Sequence, residues 1–297
     1  MRDAIVTVLC IGKFDALHRG HRALAERATA SGQPVALLRF SGMAEVLGWE
    51  PRVALVAECD RARILATWPG SPAEVDLPFA LIRGLDAAGF LALARERFAT
   101  TALVVGEDFR GGRGRTADVA AFTAAGVACG VSVVAVPAVS DATGAVSSTR
   151  VRTLLAAGDV AGAALLLGRP QRVVGTVVRG DGRGRGIGIP TANLGERLNQ
   201  APAAGVYAAW AWLGERRVPA AVNIGVVPTA GDNRPATVEA HLIGWSGDCY
   251  GQRLDLEFIK RLRDERRFPD FTTLVAQIRA DVADAAQVLG FRPTVVA

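Results

Sequence analysis

The chain has 297 residues, half of them hydrophobic and 21% charged, with a formal net charge of +5. That length and apolar content allow one large core or two ordinary ones, and they exclude a disordered tail, a disulfide-dense miniprotein and a collagen-like chain. Of the 34 basic residues only Lys13 and Lys260 are lysines. Biased composition would produce this arginine excess, and so would a need to grip anions, because the planar guanidinium matches phosphate oxygens two at a time.

The four cysteines, Cys10, Cys59, Cys129 and Cys249, are far apart in sequence, with neither a CxxC pair nor zinc spacing. Free thiols in a reducing cytoplasm are expected, with Cys10 and Cys129 as small core residues. The N-terminal apolar stretch, Ala4 to Ile11, is too short for a signal peptide or a membrane span, so a cytoplasmic, membrane-free protein is expected.

In chain order, IVTVLCIG (5–12) predicts a buried strand, 21–30 a helix, and PVALLRF (34–40) a second strand. Helices are expected over 52–68 and 88–98, and strands over 102–106 and 131–137. This alternation predicts an α/β domain built on a parallel sheet, whose ligands bind beyond the carboxyl ends of the strands. Segments 12–21, 106–118 and 147–152 are therefore the places to search. The pattern changes near Gly168-Arg169-Pro170, which sets expected domains at 1–168 and 169–297. From Arg172 onward short alternating runs (RVVGTVV, GVYAAWAW, AAVNIG, TVEAHLI, RLDLEFI) predict an antiparallel barrel or sandwich. An amphipathic helix over 272–290, stopped by Gly290, closes the pattern.

Segment 12–21 holds two of the three histidines, His18 and His21, on one face of an incipient helix, with Gly20 between them allowing close backbone approach. A strand, a short loop with Gly12, Phe14 and Asp15, then HxGH opening a helix, suits the phosphates of a nucleotide. A zinc pair or two surface histidines would show the same spacing. Ser147-Ser148-Thr149-Arg150-Val151-Arg152 reads as a helix cap. Its two arginines oppose the helix dipole unless an anion sits there. Between these segments, VGEDFRGGRGRTAD (105–118) reads as a mobile basic loop rather than a dinucleotide fingerprint, since its glycines begin too far past the strand.

In order and spacing, these three segments resemble the nucleotidyltransferase module of bacterial bifunctional riboflavin kinase/FAD synthetases, whose patterns run GxFDGxHxGH, VGxDFxFGxxRxGD and SSTxxR. The resemblance implies that His18 and His21 stabilise charge on the transferring α-phosphate. It further implies that Asp108 places the adenine nucleotide and that Ser148, Thr149 and Arg152 bind phosphate. The chain departs from the pattern at Ala16, at Gly111-Gly112, and at Phe40–Glu45, where the family carries Pro-His-Pro.

The tract 175–194, GTVVRGDGRGRGIGIPTANL, lacks a Walker lysine. Its glycines, Gly180 and Gly186 among them, can wrap a polyphosphate, and Thr191 and Asn193 offer two oxygens on one strand face. Neutral oxygens shared with ATP suit Mg²⁺. In 255–263, Asp255 and Glu257 share a face, and Glu257 is taken as the base for an attacking alcohol. PTAN, NIGxxPT, VExHL and EFIKRLRDERRF resemble the riboflavin kinase domain over about 170–290. This implies a six-stranded Greek-key barrel with a C-terminal helix, with Thr191 and Asn193 positioning Mg²⁺ and ATP. Arg263 and Phe268 would then stand on the flavin side, and His241 is given no chemistry.

The resemblance thus implies an enzyme that phosphorylates riboflavin with ATP and adenylylates the resulting FMN to FAD. Its partners are riboflavin, FMN and ATP, without nucleic acid or membrane, and whether it forms a homo-oligomer is open. A riboflavin kinase whose N-terminal domain has lost or retargeted adenylyl transfer is the alternative. An arginine-rich nucleic-acid-binding protein is the remote one.

Overall fold

The computed structural model describes residues 8–180, 182–225 and 236–291. Within them the chain forms two compact units, one of residues 8–52 and 59–148, the other of 53–58 and the described residues from 149 onward.

The first unit contains β1 (Val8–Ile11), α1 (Arg19–Thr29), β2 (Val35–Ser41), the single turn α2 (Met43–Leu47), α3 (Glu58–Leu65, its first residue counted with the second unit), β3 (Ala73–Pro78) and the short α4 (Phe79–Ile82). It continues with α5 (Ala87–Phe98), β4 (Ala102–Gly106), β5 (Arg110–Gly111), β6 (Ala117–Asp118), α6 (Val119–Cys129), β7 (Ser132–Val136), β8 (Ser140–Asp141) and β9 (Gly144–Ala145). Five strands make an all-parallel sheet in the order β3-β2-β1-β4-β7. Where both faces are covered, in β1, β4 and the first half of β2, the strands are continuously apolar, and Leu9, Cys10, Leu37, Leu38 and Leu103 are fully buried. The strand order reverses between β1 and β4, so a crevice opens beyond their carboxyl ends, at Gly12 and Glu107.

One expectation differs from what is found, and one strand has no counterpart among the expected elements. The helix expected over 52–68 spans only α3, because Val53–Ala57 runs non-helical and its carbonyls are bound elsewhere in the second unit. The Leu55 carbonyl accepts from Gln171 Nε2 and Asn199 Nδ2, both at 3.0 Å, and that of Val53 from Arg152 Nη1 at 2.8 Å. β3 escapes the sequence pattern: AEVDLP alternates poorly and leaves most of its side chains partly exposed at the sheet edge.

The second unit begins with α7 (Ser148–Ala156, its first residue counted with the first unit) and α8 (Val160–Leu167). Six strands follow: β10 (Gln171–Val178), β11 (Ala192–Gly195), β12 (Gly205–Leu213), β13 (Arg216–Gly225), β14 (Thr237–Leu242) and β15 (Arg253–Arg263). They close an antiparallel barrel in the order β10-β11-β14-β13-β12-β15. Alternation sends Val173, Tyr207, Ala209, Val222, Ala240, Leu256 and Phe258 inward, with Tyr207 edge-on to Phe258 at 5.3 Å. The outward Ala208 and Ala221 are small enough for α9 (Phe271–Val288) to pack Ala285 and Ala286 against them. Asp270 caps that helix, its Oδ1 accepting from Thr273 N at 2.7 Å. The NIGxxPT element of the sequence reading lies mostly outside the described residues.

Candidate functional site

The first candidate site is built on the turn after β1. Phe14 and Leu17 hold left-handed backbone, φ +46° and +48°, a costly conformation for large side chains that the buried surroundings enforce. His18 caps α1 from extended backbone, and its Nδ1 accepts from His21 N at 3.2 Å. That bond leaves Nε2 to carry the proton of the neutral ring, directing a donor N–H away from the helix. The imidazoles stack with centroids 3.6 Å apart and planes 12° apart, and Phe14 lies 4.9 Å from the His21 ring. Both histidines are buried. Gly20 keeps the ring uncrowded, since a Cβ would come within 3.1 Å of the His18 ring, which would then have to shift. Asp15 is half-buried in the same turn.

Asp108 follows β4 on the other side of the topological switch. It is exposed, and a Cβ on Gly106 would come within 2.9 Å of its Oδ1. The basic loop after it is more structured than expected. β5 pairs with β6 through Arg110↔Asp118, Phe109 packs edge-on to Phe122 at 5.2 Å, and Arg113 donates twice to the Gly84 carbonyl at 3.0 and 3.1 Å. Gly111 fits because a larger residue would strike Phe109 and Phe122. Where Pro-His-Pro was missing, Gly42 and Gly48 bracket α2 in left-handed conformation, and Lys13 Nζ lies 5.1 Å over the exposed Trp49 ring. Ser148 and Thr149 open α7 as expected, Thr149 exposed. Arg152 is engaged within the second unit, where Nη1 donates to Gln200 Oε1 at 2.6 Å as well as to Val53.

The second candidate site lies on the outer face of the barrel. Asn193 on β11 stands opposite Glu239 on β14, which stands opposite Asn223 on β13. Thr191 Oγ1 donates to Glu239 Oε2 at 3.4 Å. Gly180 backs this group: a Cβ there would fall within 2.5 Å of Asn193 Cγ. Gly186 lies in the following 3-10 turn (183–187), and the Gly184 carbonyl accepts from Ile189 N at 2.9 Å to close the tract. His241 Nδ1 meets the Pro190 carbonyl at 2.8 Å, a contact that secures the start of β11.

Glu257 stands elsewhere. β10 pairs Val178 with Asn193 and Arg172 with Glu257, six residues apart on one strand, or about 20 Å. There Arg172 lies 3.5 Å from Asp255 and 3.8 Å from Glu257, under Trp212. The carboxylate beside Thr191 and Asn193 is Glu239, which the sequence reading passed over although it lies in the quoted VExHL run. Arg263 forks onto the buried Asp281, Nε to Oδ1 at 2.9 Å and Nη2 to Oδ2 at 2.6 Å. Phe268 lies between Arg263 and Arg266, 5.7 and 5.0 Å from its ring.

Among the described residues no group of three His, Cys, Asp or Glu stands ready to hold a metal, and no helix is long and apolar enough to cross a membrane. The four cysteines are free.

The family model of riboflavin kinase matches residues 167–289, and that of FAD synthetase matches residues 2–150. A bifunctional riboflavin kinase/FMN adenylyltransferase of Pseudomonas fluorescens is 37% identical, covering 94% of this chain and 91% of its own. The enzyme of the same description from Escherichia coli K12 is 34% identical over 95% of this chain and 93% of its own. Among solved structures, one described as a macrolide-efflux protein from Streptococcus pneumoniae shares the fold with a TM-score of 0.85 and 27% identity, over 94% of this chain and 93% of that one. With both family models matched and full-length relatives described as bifunctional, the reading as a riboflavin kinase whose N-terminal domain has lost or retargeted adenylyl transfer is not favoured. The chain belongs to the family of bifunctional riboflavin kinase/FMN adenylyltransferases.

Proposed function

We propose that the barrel transfers the γ-phosphoryl group of ATP to riboflavin, and that the crevice beyond β1 and β4 then joins the FMN formed to the adenylyl group of a second ATP. The observation that carries this reading is the presence of two phosphate-handling constellations on different scaffolds. One is the stacked His18–His21 pair at a helix N-terminus, the other Thr191, Asn193 and Glu239 against the glycine tract.

In the kinase step Glu239 takes the proton of the ribityl 5′-hydroxyl as its oxygen attacks the γ-phosphorus and ADP leaves. Glu239, rather than Glu257, is the base because it alone of the two carboxylates neighbours Thr191 and Asn193. The hydroxyl, amide and carboxylate oxygens of this trio are hard donors that fit Mg²⁺ shared with ATP phosphates, and Gly180 keeps room for the Asn193 amide. When bound, the ion would neutralise phosphate charge. Thr191 and Asn193 would hold it and orient the nucleotide.

In the adenylyl step the FMN phosphate is already anionic and needs no base. Its oxygen attacks the α-phosphorus of ATP and pyrophosphate leaves. His18 and His21 donate to the charge that develops at the α-phosphate, and Asp108 and Ser148 take part in holding the nucleotide. Arg263 and Phe268 are assigned to the flavin side of the barrel, where the Arg263–Asp281 fork fixes the end of β15 against α9.

Product analysis with riboflavin and then FMN as sole flavin tests the reading. Riboflavin with ATP and Mg²⁺ should yield FMN and then FAD, and FMN alone should yield FAD in wild type but not in His21→Ala. FAD formation from FMN at equal rates in wild type and His21→Ala would refute the second half.

A further inference from the structure

The stacked imidazoles rest on a turn whose conformation is unfavourable by itself, so something must hold it. Phe14, at φ +46°, is fully buried and its ring supports that of His21. Its carbonyl accepts from Arg61 Nη2 at 3.0 Å. Arg61 lies on α3, 47 residues along the chain, and is 5% exposed. Its guanidinium is in turn gripped by Glu74 on β3. Nε donates to Oε1 and Oε2 at 3.1 and 2.9 Å, and Nη2 reaches Oε1 as well. A second cation, Arg39 on β2, lies 3.9 Å from the same carboxylate.

A buried guanidinium is costly unless its charge is paired and its N–H groups are bonded. Here the pairing comes from Glu74 at the sheet edge, and Nη2, which also reaches that carboxylate, donates to the Phe14 carbonyl in the left-handed turn. We infer that Arg61 is a positioning residue for adenylyl transfer: through the Phe14 carbonyl it sets the turn, and through the Phe14 ring it sets the imidazole pair. This explains why a charged residue sits in a buried stretch of α3 and why β3 carries Glu74 facing it. The inference rests on the reading of His18 and His21 as groups that contact the reacting phosphate.

The chain has three histidines, so the imidazole Cε1–H region of a carbon–proton NMR spectrum holds three signals. His241, bound to the Pro190 carbonyl in the barrel, serves as the internal control. In Arg61→Met the His18 and His21 signals should move while that of His241 stays. kcat for FAD formation from FMN should fall about 10- to 100-fold, the range expected for a small misplacement of reacting groups, with KM for ATP little changed and FMN formation from riboflavin intact. Glu74→Gln, which keeps the shape and removes the partner charge, should give the same pattern in weaker form, and Arg61→Lys should restore part of kcat. Failure of Cys10 in the core of β1 to react with a thiol reagent verifies that the sheet has held. His18 and His21 signals that superimpose on wild type in both Arg61→Met and Glu74→Gln would overturn the inference. Signals that move while kcat is unchanged would uphold the positioning and instead refute the catalytic reading of the imidazoles.

Discussion

Exchanging the two barrel carboxylates for amides, one at a time, separates the catalytic from the structural one. Along β10 the residues opposite Asn193 and Glu257 are six apart, so about 20 Å of strand lies between Glu257 and the Thr191–Asn193 pair. A base must come within about 3 Å of the proton it removes, directly or through one water, so Glu257 cannot serve a hydroxyl held near Asn193. Glu239→Gln should lower kcat for FMN formation about 10²- to 10⁴-fold, the usual contribution of a general base, with little loss of stability. Glu257→Gln should leave that rate nearly unchanged and reduce unfolding free energy. Glu257 is 16% exposed and lies 3.8 Å from the buried Arg172, which retains Asp255 at 3.5 Å. The cost is therefore that of weakening a buried pair rather than orphaning a charge, about 1–3 kcal/mol. The assay is chromatographic measurement of FMN from riboflavin at saturating ATP, with urea unfolding of each variant. A folded Glu257→Gln protein without kinase activity, beside an active Glu239→Gln, would refute the reasoning.

Gly180→Ala would place a Cβ within 2.5 Å of Asn193 Cγ, so it should displace the Asn193 amide, raise KM for ATP in the kinase reaction and leave FAD formation from supplied FMN intact. His18→Ala should do the reverse, abolishing FAD formation with the kinase preserved, as read by the same chromatography. Burial pushes the Cys10 thiol up from the ordinary value near 9 to about 12. The unfolded thiol therefore loses its proton at lower pH than the folded one. The stability tied to Cys10 is complete below about pH 9 and declines as pH rises toward 12. Alkylation at pH 8 should label the exposed Cys59 readily and Cys10 only under denaturant, and Cys10→Ala should flatten the alkaline fall in melting temperature.

The arrangement of both units was legible in the sequence because it is written in local pattern. Continuous apolar runs between helical stretches mark a covered parallel sheet, and short alternating runs broken by turn residues mark a barrel. The HxGH turn and the Thr191-x-Asn193 pair were legible for the same reason, since a few adjacent residues define each. Elements whose conformation is set from outside were not. The stretch 53–57 scans as helix, but its carbonyls are bound by Arg152, Gln171 and Asn199, from residues about a hundred or more further on. β3 is a strand because β2 offers it hydrogen bonds, whatever its own alternation.

The same distinction decides the chemistry. Sequence by itself determined that oxygens at 191 and 193 share a face and that Asp255 and Glu257 share another, because strand periodicity is a property of one segment. Which carboxylate meets the pair is a matter of strand order and register around a closed barrel, and only the tertiary structure brought Glu239 beside Thr191 and set Glu257 against Arg172. Likewise Arg61 reads from sequence as one arginine among many. Its grip on the Phe14 carbonyl exists only once α3 and β3 are folded beside the turn, because hydrogen bonds between distant segments leave no periodic trace in either one.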